Sequence, residues 1–471
     1  MTVNSDTLYN IFLKEFPEIP TKDQNKGLRD ISDLLCPNVD NLSLNDVFIL
    51  MGYAGTGKTT LARTVARVAE NYGWKLVLAA PTGRAAKVLQ GVWGLHALTL
   101  HRMIYKTVRG PDGYYKRILK ENRGKNIIFI IDEASMISDN GENGNMLGDL
   151  FYFLKSGKNC KLILVGDNAQ LPPVGQINSP ALDIKKLRTS IGINCSCTIL
   201  KQIMRQDEKS GILDCADALR KAMFAKNIYY PVLKPSNEVC FVNDLFDLNN
   251  YFEGSFGHSE FNSVVITRSN SRAVLYNRQI RTRLLGYDDI INAGDLVMVV
   301  QNNEFWMDKD SGPDFIANGD IFKIISWRNE ENKYGLHFAD ASLQWMDFDE
   351  PNFEAKIILN TLDSNSTRLS REQLDLLHSE IMIEFKNSGL PNSRRSDFFM
   401  NHSYGQALQL KFGYALTAHK AQGGQWDDVF VERPYIENPA QKEYLRWLYT
   451  SFTRAKSRLF LIGFPEGINH E

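Results

Sequence analysis

Short unbroken apolar runs, each leading into a stretch of helical spacing, recur through the first part of the chain. Val47-Phe-Ile-Leu-Met51 runs into a glycine-rich segment and then into Leu61 to Tyr72, where apolar residues recur at the spacing of one helix face. Trp74-Lys-Leu-Val-Leu-Ala-Ala80, Asn126-Ile-Ile-Phe-Ile-Ile131 and Lys161-Leu-Ile-Leu-Val165 repeat the pattern. A run without polar alternation predicts a strand covered on both faces, and strands alternating with helices predict a parallel sheet.

The texture then shifts. Thr198 to Gln206 reads as the start of a new unit, and Phe261 to Thr267 as a further strand before a helix over Ala273 to Leu285. Across 293–362, short alternating runs broken by turns predict a small β-barrel, as in Gly294-Asp-Leu-Val-Met-Val-Val300 and Asn318-Gly-Asp-Ile-Phe-Lys-Ile-Ile325. Charged helical sequence follows over Arg371 to Asn387. The α/β pattern returns from Leu410 to Gly424 and ends in a helix carrying Tyr449 and a strand over Arg458 to Gly463.

The glycine-rich segment carries the strongest chemistry. Gly52, Gly57, Lys58 and Thr59 have the spacing of a phosphate-binding loop, with Gly55, Thr56 and Thr60 completing it, between a strand and a helix. Glycines let backbone N–H groups turn inward on phosphate oxygens, and the helix N-terminus adds partial positive charge. Lys58 would reach the terminal phosphates and Thr59 would ligate Mg²⁺. An ordinary strand-to-helix turn needs neither group. The strand ending at Ile131 delivers Asp132 and Glu133 at its carboxyl end, where open α/β sheets bind ligands. Asp132 would hold Mg²⁺ and Glu133 would polarise an attacking water, while Gln170 in Gly166-Asp-Asn-Ala-Gln-Leu-Pro-Pro-Val174 would lie near the γ-phosphate. Upstream, Thr21 can cap a helix with Gln24 one turn inside it. A lone helical glutamine is ordinarily solvated, yet its amide offers the donor and acceptor that an adenine edge needs; both readings stand.

Several segments suit a nucleic-acid backbone. After the second strand, Pro81-Thr82-Gly-Arg-Ala-Ala-Lys87 opens a helix. Its charges read either as ordinary surface residues or, with Thr82 and the helix N-terminus, as a phosphate contact. Thr99-Leu-His101 begins another such segment, and Leu410 to Gly424 gathers Thr417, His419, Gln422 and Gly423. Residues 107–126, with Gly110-Pro-Asp-Gly113 centred between tyrosines and basic residues, read as a basic hairpin or as a long surface loop. Arg205 is the notable charge of its segment, and Tyr449, Thr453 and Arg454 fall about one helical turn apart, on one face.

Composition changes this picture little. At 471 residues with 43% hydrophobic content, the chain can bury a large core and is long enough for about three domains. Fifty-four basic and 55 acidic residues give a formal charge of −1, so a polyanion would have to be held by a local basic groove. The six cysteines are scattered, and Cys195-x-Cys197 lacks a second pair at ligand spacing, which predicts reduced thiols. The N-terminus has no basic-then-apolar signal and no apolar run approaches the ~18 residues of a membrane span, so a cytoplasmic protein without membrane contact is expected.

In this order, these segments resemble the superfamily 1 DNA helicases, most closely the RecD-like and Dda-type branch, over residues 20 to 463. Gln24 matches the adenine-reading glutamine, Gly52 to Thr60 the first motif, Ala80 to Lys87 a DNA-contacting motif, and Asp132-Glu-Ala-Ser135 the Mg²⁺ and water-activating pair. Gly166 to Val174 looks like the third motif, Arg205 like the γ-phosphate arginine of the fourth, Thr417 to Gly423 like the fifth and Tyr449 to Ala455 like the sixth, with Arg454 as arginine finger. The resemblance implies an α/β fold of two RecA-like P-loop NTPase domains, parallel sheets flanked by helices, with ATP between them and a small inserted β-barrel. The expected boundaries are a tail over 1–20, a first domain over 21–197 with a strand-separating hairpin at 107–126, a second over 198–290 and 405–471, and the insertion over 291–404.

It further implies ATP and Mg²⁺ as cofactors, with Gln422 and Gly423 joining the nucleotide site. DNA would be contacted by Pro81, Thr82, Lys87, Thr99, His101, Thr417 and His419, and the partners would be single-stranded and tailed duplex DNA. A monomer moving 5′ to 3′ is expected, working in replication, repair or recombination, with proteins of those pathways as possible partners. An RNA or mixed-substrate helicase, and an ATP-driven switch acting on protein partners, are the alternatives. The sequence departs from the family pattern at Gly424-Gln425, where Ser-Glu is more usual, and at Gly27, where alanine is.

Overall fold

The computed structural model describes residues 4–36, 47–109, 115–140, 145–204, 210–257, 262–307, 316–346 and 351–465. The first lobe begins with helices α1 (Ser5–Glu15) and α2 (Lys22–Leu35). Its strands are β1 (Val47–Gly52), β2 (Lys75–Ala80) and β3 (Ala97–Thr99), then a hairpin of β4 (Tyr105–Arg109) and β5 (Tyr115–Leu119), then β6 (Lys125–Ile131), β7 (Lys158–Gly166) and β8 (Cys195–Leu200). Helices α3 (Lys58–Asn71), α4 (Gly83–Trp93), α5 (Leu100–Ile104), α6 (Met146–Ser156) and α7 (Ile184–Ser190) connect them. The sheet runs β3-β2-β6-β7-β1-β8 with every pairing parallel. Why β1 is an unbroken apolar run is visible in its packing: Phe48 and Leu50 enter the core beneath α2 and α3, while Val47, Ile49 and Met51 enter the core beneath α5 and α6.

The second lobe starts with α8 (Gly211–Met223), β9 (Val239–Val242), α9 (Leu245–Phe256), β10 (Ser263–Thr267) and α10 (Asn270–Gln279). The chain then leaves it for β11 (Leu296–Val299), β12 (Ile321–Lys333), β13 (Leu336–Trp345), β14 (Phe353–Ile358), helices α11 (Arg371–Asn387) and α12 (Arg395–Met400), and β15 (Leu408–Phe412). It returns with β16 (Ala415–Thr417), α13 (Ala418–Ala421), β17 (Trp426–Glu432), α14 (Lys442–Phe452) and β18 (Ala455–Ile462). The second sheet, β16-β10-β17-β18-β9, is again wholly parallel. Strands β11 to β15 close a barrel.

Four expectations need adjustment. Residues 1–20 are not a tail, because α1 lays Leu8 and Phe12, one turn apart, into the core shared with α2 and α3. The segment from Thr198 does not open a new unit: β8 runs on to Leu200, which pairs with Gly52 of β1. The hairpin is formed, and starts at Tyr105, opposite Leu119; its tip, 110–114, lies outside the described residues. The barrel is closed by β15, inside the stretch assigned to the second sheet. Gly413 divides the stretch from Leu408 to Thr417 between the barrel and the second sheet, its N–H bonding Leu296 O at 2.8 Å. Among the described residues, no helix is long and apolar enough to cross a membrane.

One ion pair fastens the barrel to the second lobe. Arg281, at the end of the α10 segment, donates from Nε to Asp295 Oδ1 at 2.7 Å and from a terminal nitrogen to Oδ2 at 2.9 Å, and Tyr414 donates its hydroxyl to the same carboxylate at 3.1 Å. Asp295 is wholly buried. Removing one partner of such a pair strands the other charge, so Arg281→Met is expected to cost about 3–5 kcal/mol, read as a lowered denaturant midpoint, and Arg281→Met/Asp295→Leu to recover much of that loss.

Candidate nucleotide and nucleic-acid site

β1 delivers the loop Gly52 to Thr60 to the carboxyl edge of the first sheet, and α3 starts at Lys58. Gly57 has φ 80°, and a Cβ there would lie 2.6 Å from Gln24 Nε2, so the position admits only glycine. Lys58 Nζ donates to the carbonyls of Gly52 at 2.8 Å and Tyr53 at 3.0 Å. The lysine thus folds over its own loop, its charge held where terminal phosphates would take it. Thr59 and Thr60 are exposed at the mouth. A cavity of about 360 Å³ opens over the loop, bounded by Phe16, Pro17, Glu18, Gln24 and Met204.

Gln24 is not the solvated surface glutamine, and it stands at the edge of the cavity where an adenine edge would be met. Its Oε1 accepts the Thr21 N–H at 2.9 Å as part of a capping box, while Nε2 donates to Thr56 O at 3.1 Å. The side chain is 1% exposed. It therefore ties α2 to the phosphate loop at the edge of the cavity, and an adenine would have to take over these bonds.

The acids meet the loop from the neighbouring strands. Asp132, at the end of β6, accepts the Glu133 N–H at 2.8 Å, and its pKa is pushed up to about 6, first by burial, then by the Glu133 charge, with Lys58 acting in the opposite sense. Glu133 sits at φ 50° and ψ 36°. A non-glycine residue in the left-handed region carries strain, which is tolerated where function requires a carboxylate in a set direction. Asp167, after β7, is 1% exposed, its pKa raised by burial. Its Oδ1 accepts the Ala169 N–H at 2.9 Å, and its Oδ2 accepts the Tyr449 hydroxyl of the second lobe at 2.7 Å. Asp132 beside Glu133, with Lys58 as the loop's own cation, suits a divalent cation held by Asp132, Thr59 and nucleotide phosphates. Among the described residues no group of three or more His, Cys, Asp or Glu side chains could hold a metal by itself.

Other predicted residues are placed as follows. Gln170 is buried nearby, its Oε1 without a hydrogen-bond partner among the described residues. Arg205 lies outside the described residues. Arg454 is buried, donating from Nε to Thr450 O at 3.0 Å and from its terminal nitrogens to Gly424 O at 3.3 Å and Thr453 Oγ1 at 3.1 Å. Gln422 and Gly423 do not line the cavity: Gln422 Nε2 donates to Leu171 O at 3.0 Å, and Gly423 lies against α4, where a Cβ would come 3.0 Å from Ala85 Cβ. They join the lobes, because the backbone carbonyl of Leu171 needs a partner once buried.

That contact also brings the start of α4 against the turn that follows α13. Pro81 and Thr82 precede α4, and the Thr82 hydroxyl caps it through the Ala85 N–H at 3.2 Å. Thr417 precedes α13, and His419 is exposed upon it. Thr99 is withdrawn from this surface: it is buried, and caps α5 through the Arg102 N–H at 3.2 Å. His101 packs its ring 5.8 Å from that of Tyr105. Lys87 reaches the barrel, with Nζ 2.6 Å from Asp320 Oδ2 and 3.5 Å from the Trp345 ring centre. A cation expected for a nucleic-acid phosphate is thus paired with a carboxylate that is 1% exposed.

Sequence reasoning missed three participants and saw a fourth only in part. Arg220 of α8, paired with Asp217, lays its guanidinium carbon 4.3 Å from the ring centre of Tyr53 in the loop. Arg446 of α14 donates to Ile177 O, to Asn168 O at 3.3 Å and to Asn178 Oδ1 at 3.2 Å. Asp167 completes the acids. Helical arginines give no signal of a partner hundreds of positions away, whereas the shared face of Tyr449, Thr453 and Arg454 was readable without its target.

Residues 40–230 match the family model of an AAA domain, and residues 412–462 that of a UvrD-like helicase C-terminal domain. The ATP-dependent RecD2 DNA helicase of Deinococcus radiodurans is 32% identical over 442 residues, covering 93% of this chain and 50% of that protein. The ATP-dependent DNA helicase dda of Enterobacteria phage T4 is 26% identical over 436 residues, covering 87% of this chain and 93% of its own length. The chain therefore spans half the length of the first relative and nearly all of the second. A solved structure of two coordinating Pif1 helicases at forked double-stranded DNA aligns over 94% of this chain and 92% of its own, with 16% identity and a TM-score of 0.49.

The acid cluster has a consequence for stability. Folding raises the Asp132 pKa from 3.8 to about 6, so the folded chain holds this proton more tightly and loses stability as pH rises between those values. Asp132→Asn, without nucleotide or divalent cation, is expected to gain about 1–3 kcal/mol at pH 8 and nothing below about pH 4. Denaturant melts at the two pH values check this; equal shifts at both would contradict it.

Proposed function

The chain belongs to the superfamily 1 helicases of the RecD and Dda type, and on that premise we propose that it hydrolyses ATP in the cleft between its two lobes, moves along single-stranded DNA and separates tailed duplexes. The observation that carries this reading is that the phosphate loop and its acids, on the first lobe, are faced by α8 and α14 of the second, with Tyr449 touching the loop itself. A nucleotide bound there lies between two bodies. Its binding and loss can open and close them, and alternating grip on a phosphodiester backbone turns that motion into steps.

In this mechanism Lys58 leaves the Gly52 and Tyr53 carbonyls for the phosphates, and the loop N–H groups hold their oxygens. Thr59 and Asp132 would hold Mg²⁺, which would supply positive charge against that building on the phosphates. Glu133 takes the proton of the attacking water, and Gln170 lies where it can register the terminal phosphate. Arg454 exchanges its three second-lobe acceptors for oxygens of the transferring phosphoryl group as the cleft closes. The strand runs over the start of α4 and over α13, whose following turn packs against α4, contacting Pro81, Thr82, Thr417 and His419. These groups address the backbone and leave base sequence unread. The β4–β5 hairpin is the candidate wedge. Movement is assigned 5′ to 3′ from the family resemblance.

Lys58→Ala should abolish turnover while retaining the wild-type melting transition, and Glu133→Gln should bind ATP and trap it; loss of ATP binding in Glu133→Gln would reverse the roles given to the two acids. ATP turnover with and without single-stranded DNA or RNA, followed by unwinding of duplexes with a 5′ or a 3′ tail, tests substrate and polarity. Unwinding from the 3′ tail alone would overturn the direction.

Arg454→Ala and Arg454→Lys should bind ATP and fail hydrolysis by a factor on the order of 10³ to 10⁵, because a lysine lacks the planar fork. Turnover within about tenfold of wild type, some 1.4 kcal/mol, would remove Arg454 from the site.

A further inference from the structure

Besides the Arg220–Tyr53 stack, the second lobe reaches the backbone of the phosphate loop through a tyrosine hydroxyl. Tyr449 Oη accepts the backbone N–H of Ala54 at 3.0 Å and donates to Asp167 Oδ2 at 2.7 Å, so its single proton and one lone pair are both used. The ring is 1% exposed and its hydroxyl is held in the charged form's disfavour by burial and by Asp167, which fixes it as a donor to that carboxylate. Ala54 follows Gly52 and Tyr53, whose carbonyls hold Lys58, so this N–H belongs to the end of the loop that serves the terminal phosphate.

On its own helix Tyr449 continues the chain of bonds. Its carbonyl accepts the Thr453 N–H at 3.1 Å and the Thr453 hydroxyl at 2.9 Å, and that hydroxyl oxygen in turn accepts from Arg454 at 3.1 Å. A continuous path therefore links the loop amide, a buried first-lobe acid and the arginine of the second lobe.

We propose that Tyr449 is a positioning residue for hydrolysis: its hydroxyl sets the end of α14, and with it Arg454, against the phosphate loop through Ala54 and Asp167. This deepens the nucleotide-site reading and rests on it. Removing the hydroxyl leaves the loop and its ligand-binding groups in place, so the loss falls on the chemical step more than on nucleotide affinity.

The test uses the full chain with saturating single-stranded DNA. Tyr449→Phe should keep the melting transition, hold KM for ATP within about threefold and lower kcat by about tenfold or more. Asp167→Asn should also lower kcat, and the double variant should be no slower than the slower single, because both remove the same link. Thr450→Val, which breaks only the neighbouring bond to Leu171, should cost clearly less in kcat. A Tyr449→Phe enzyme with kcat within about twofold of wild type, a change confined to KM, or losses that multiply in the double variant would each overturn the proposal. Should Tyr449→Phe fail to fold, Asp167→Asn decides alone, and a kcat within about twofold of wild type refutes the link. Lys58→Ala, assayed alongside, separates the two levels: turnover surviving in it defeats the nucleotide-site reading, whereas its collapse beside an unaffected Tyr449→Phe defeats this inference only.

Discussion

Leu171 gives both of its backbone hydrogen-bonding groups to the opposite lobe. Its N–H donates to Thr450 Oγ1 at 2.8 Å, its carbonyl accepts from Gln422 Nε2 at 3.0 Å, and its side chain is buried with Ala169 in the second lobe's core. A buried backbone group left unpaired costs about 1–3 kcal/mol, so the segment after β7 cannot part from the second lobe without replacing those bonds. Arg446 adds three further bonds to residues 168–178. A piece of the first lobe, beginning at Asp167 beside the loop, is thereby built into the second, and the width of the cleft follows from that.

Around this seam the chain accepts features that a purely stable fold would avoid. Asp132 and Asp167 are held with raised pKa values, Glu133 takes a left-handed backbone, and Gln170 leaves a buried oxygen without a partner among the described residues. Each is unfavourable in isolation. All lie where β6 and β7 end beside β1, at the carboxyl edge of the sheet. The rest of the two sheets is conventional: strands covered on both faces and helices capped by Thr21, Thr82, Asn145 and Ser269.

What was legible in the sequence was local. β1, β6 and β7 announce themselves because covering both faces leaves no room for polar alternation, and the loop because Gly57 and Lys58 have no other use at that spacing. The boundaries between bodies were less legible, since nothing in the stretch from Leu408 to Thr417 announces that Gly413 divides it between two sheets. Long-range partners were not legible at all. Nothing in Lys87 announces Asp320, 233 positions on, and nothing in Gln422 announces the Leu171 carbonyl. Such pairings depend on which edges meet after folding, and a single helix or strand carries no record of that. Arg205 falls outside the described residues.

The departure at Gly424 has a physical cause that only the fold supplies. A Cβ there would lie 2.9 Å from the Arg84 guanidinium carbon and 2.6 Å from the Trp426 ring. That space is filled because Arg84, buried on α4 of the first lobe, stacks 4.3 Å from the centre of the Trp426 ring on the second. A serine at 424 would displace the stack, so glycine at 424 and the Arg84–Trp426 pair require one another. The same helix sends Lys87 to Asp320 on the barrel, so α4 touches all three bodies. α4 is therefore a second seam beside the segment after β7, joining the first lobe to both other bodies.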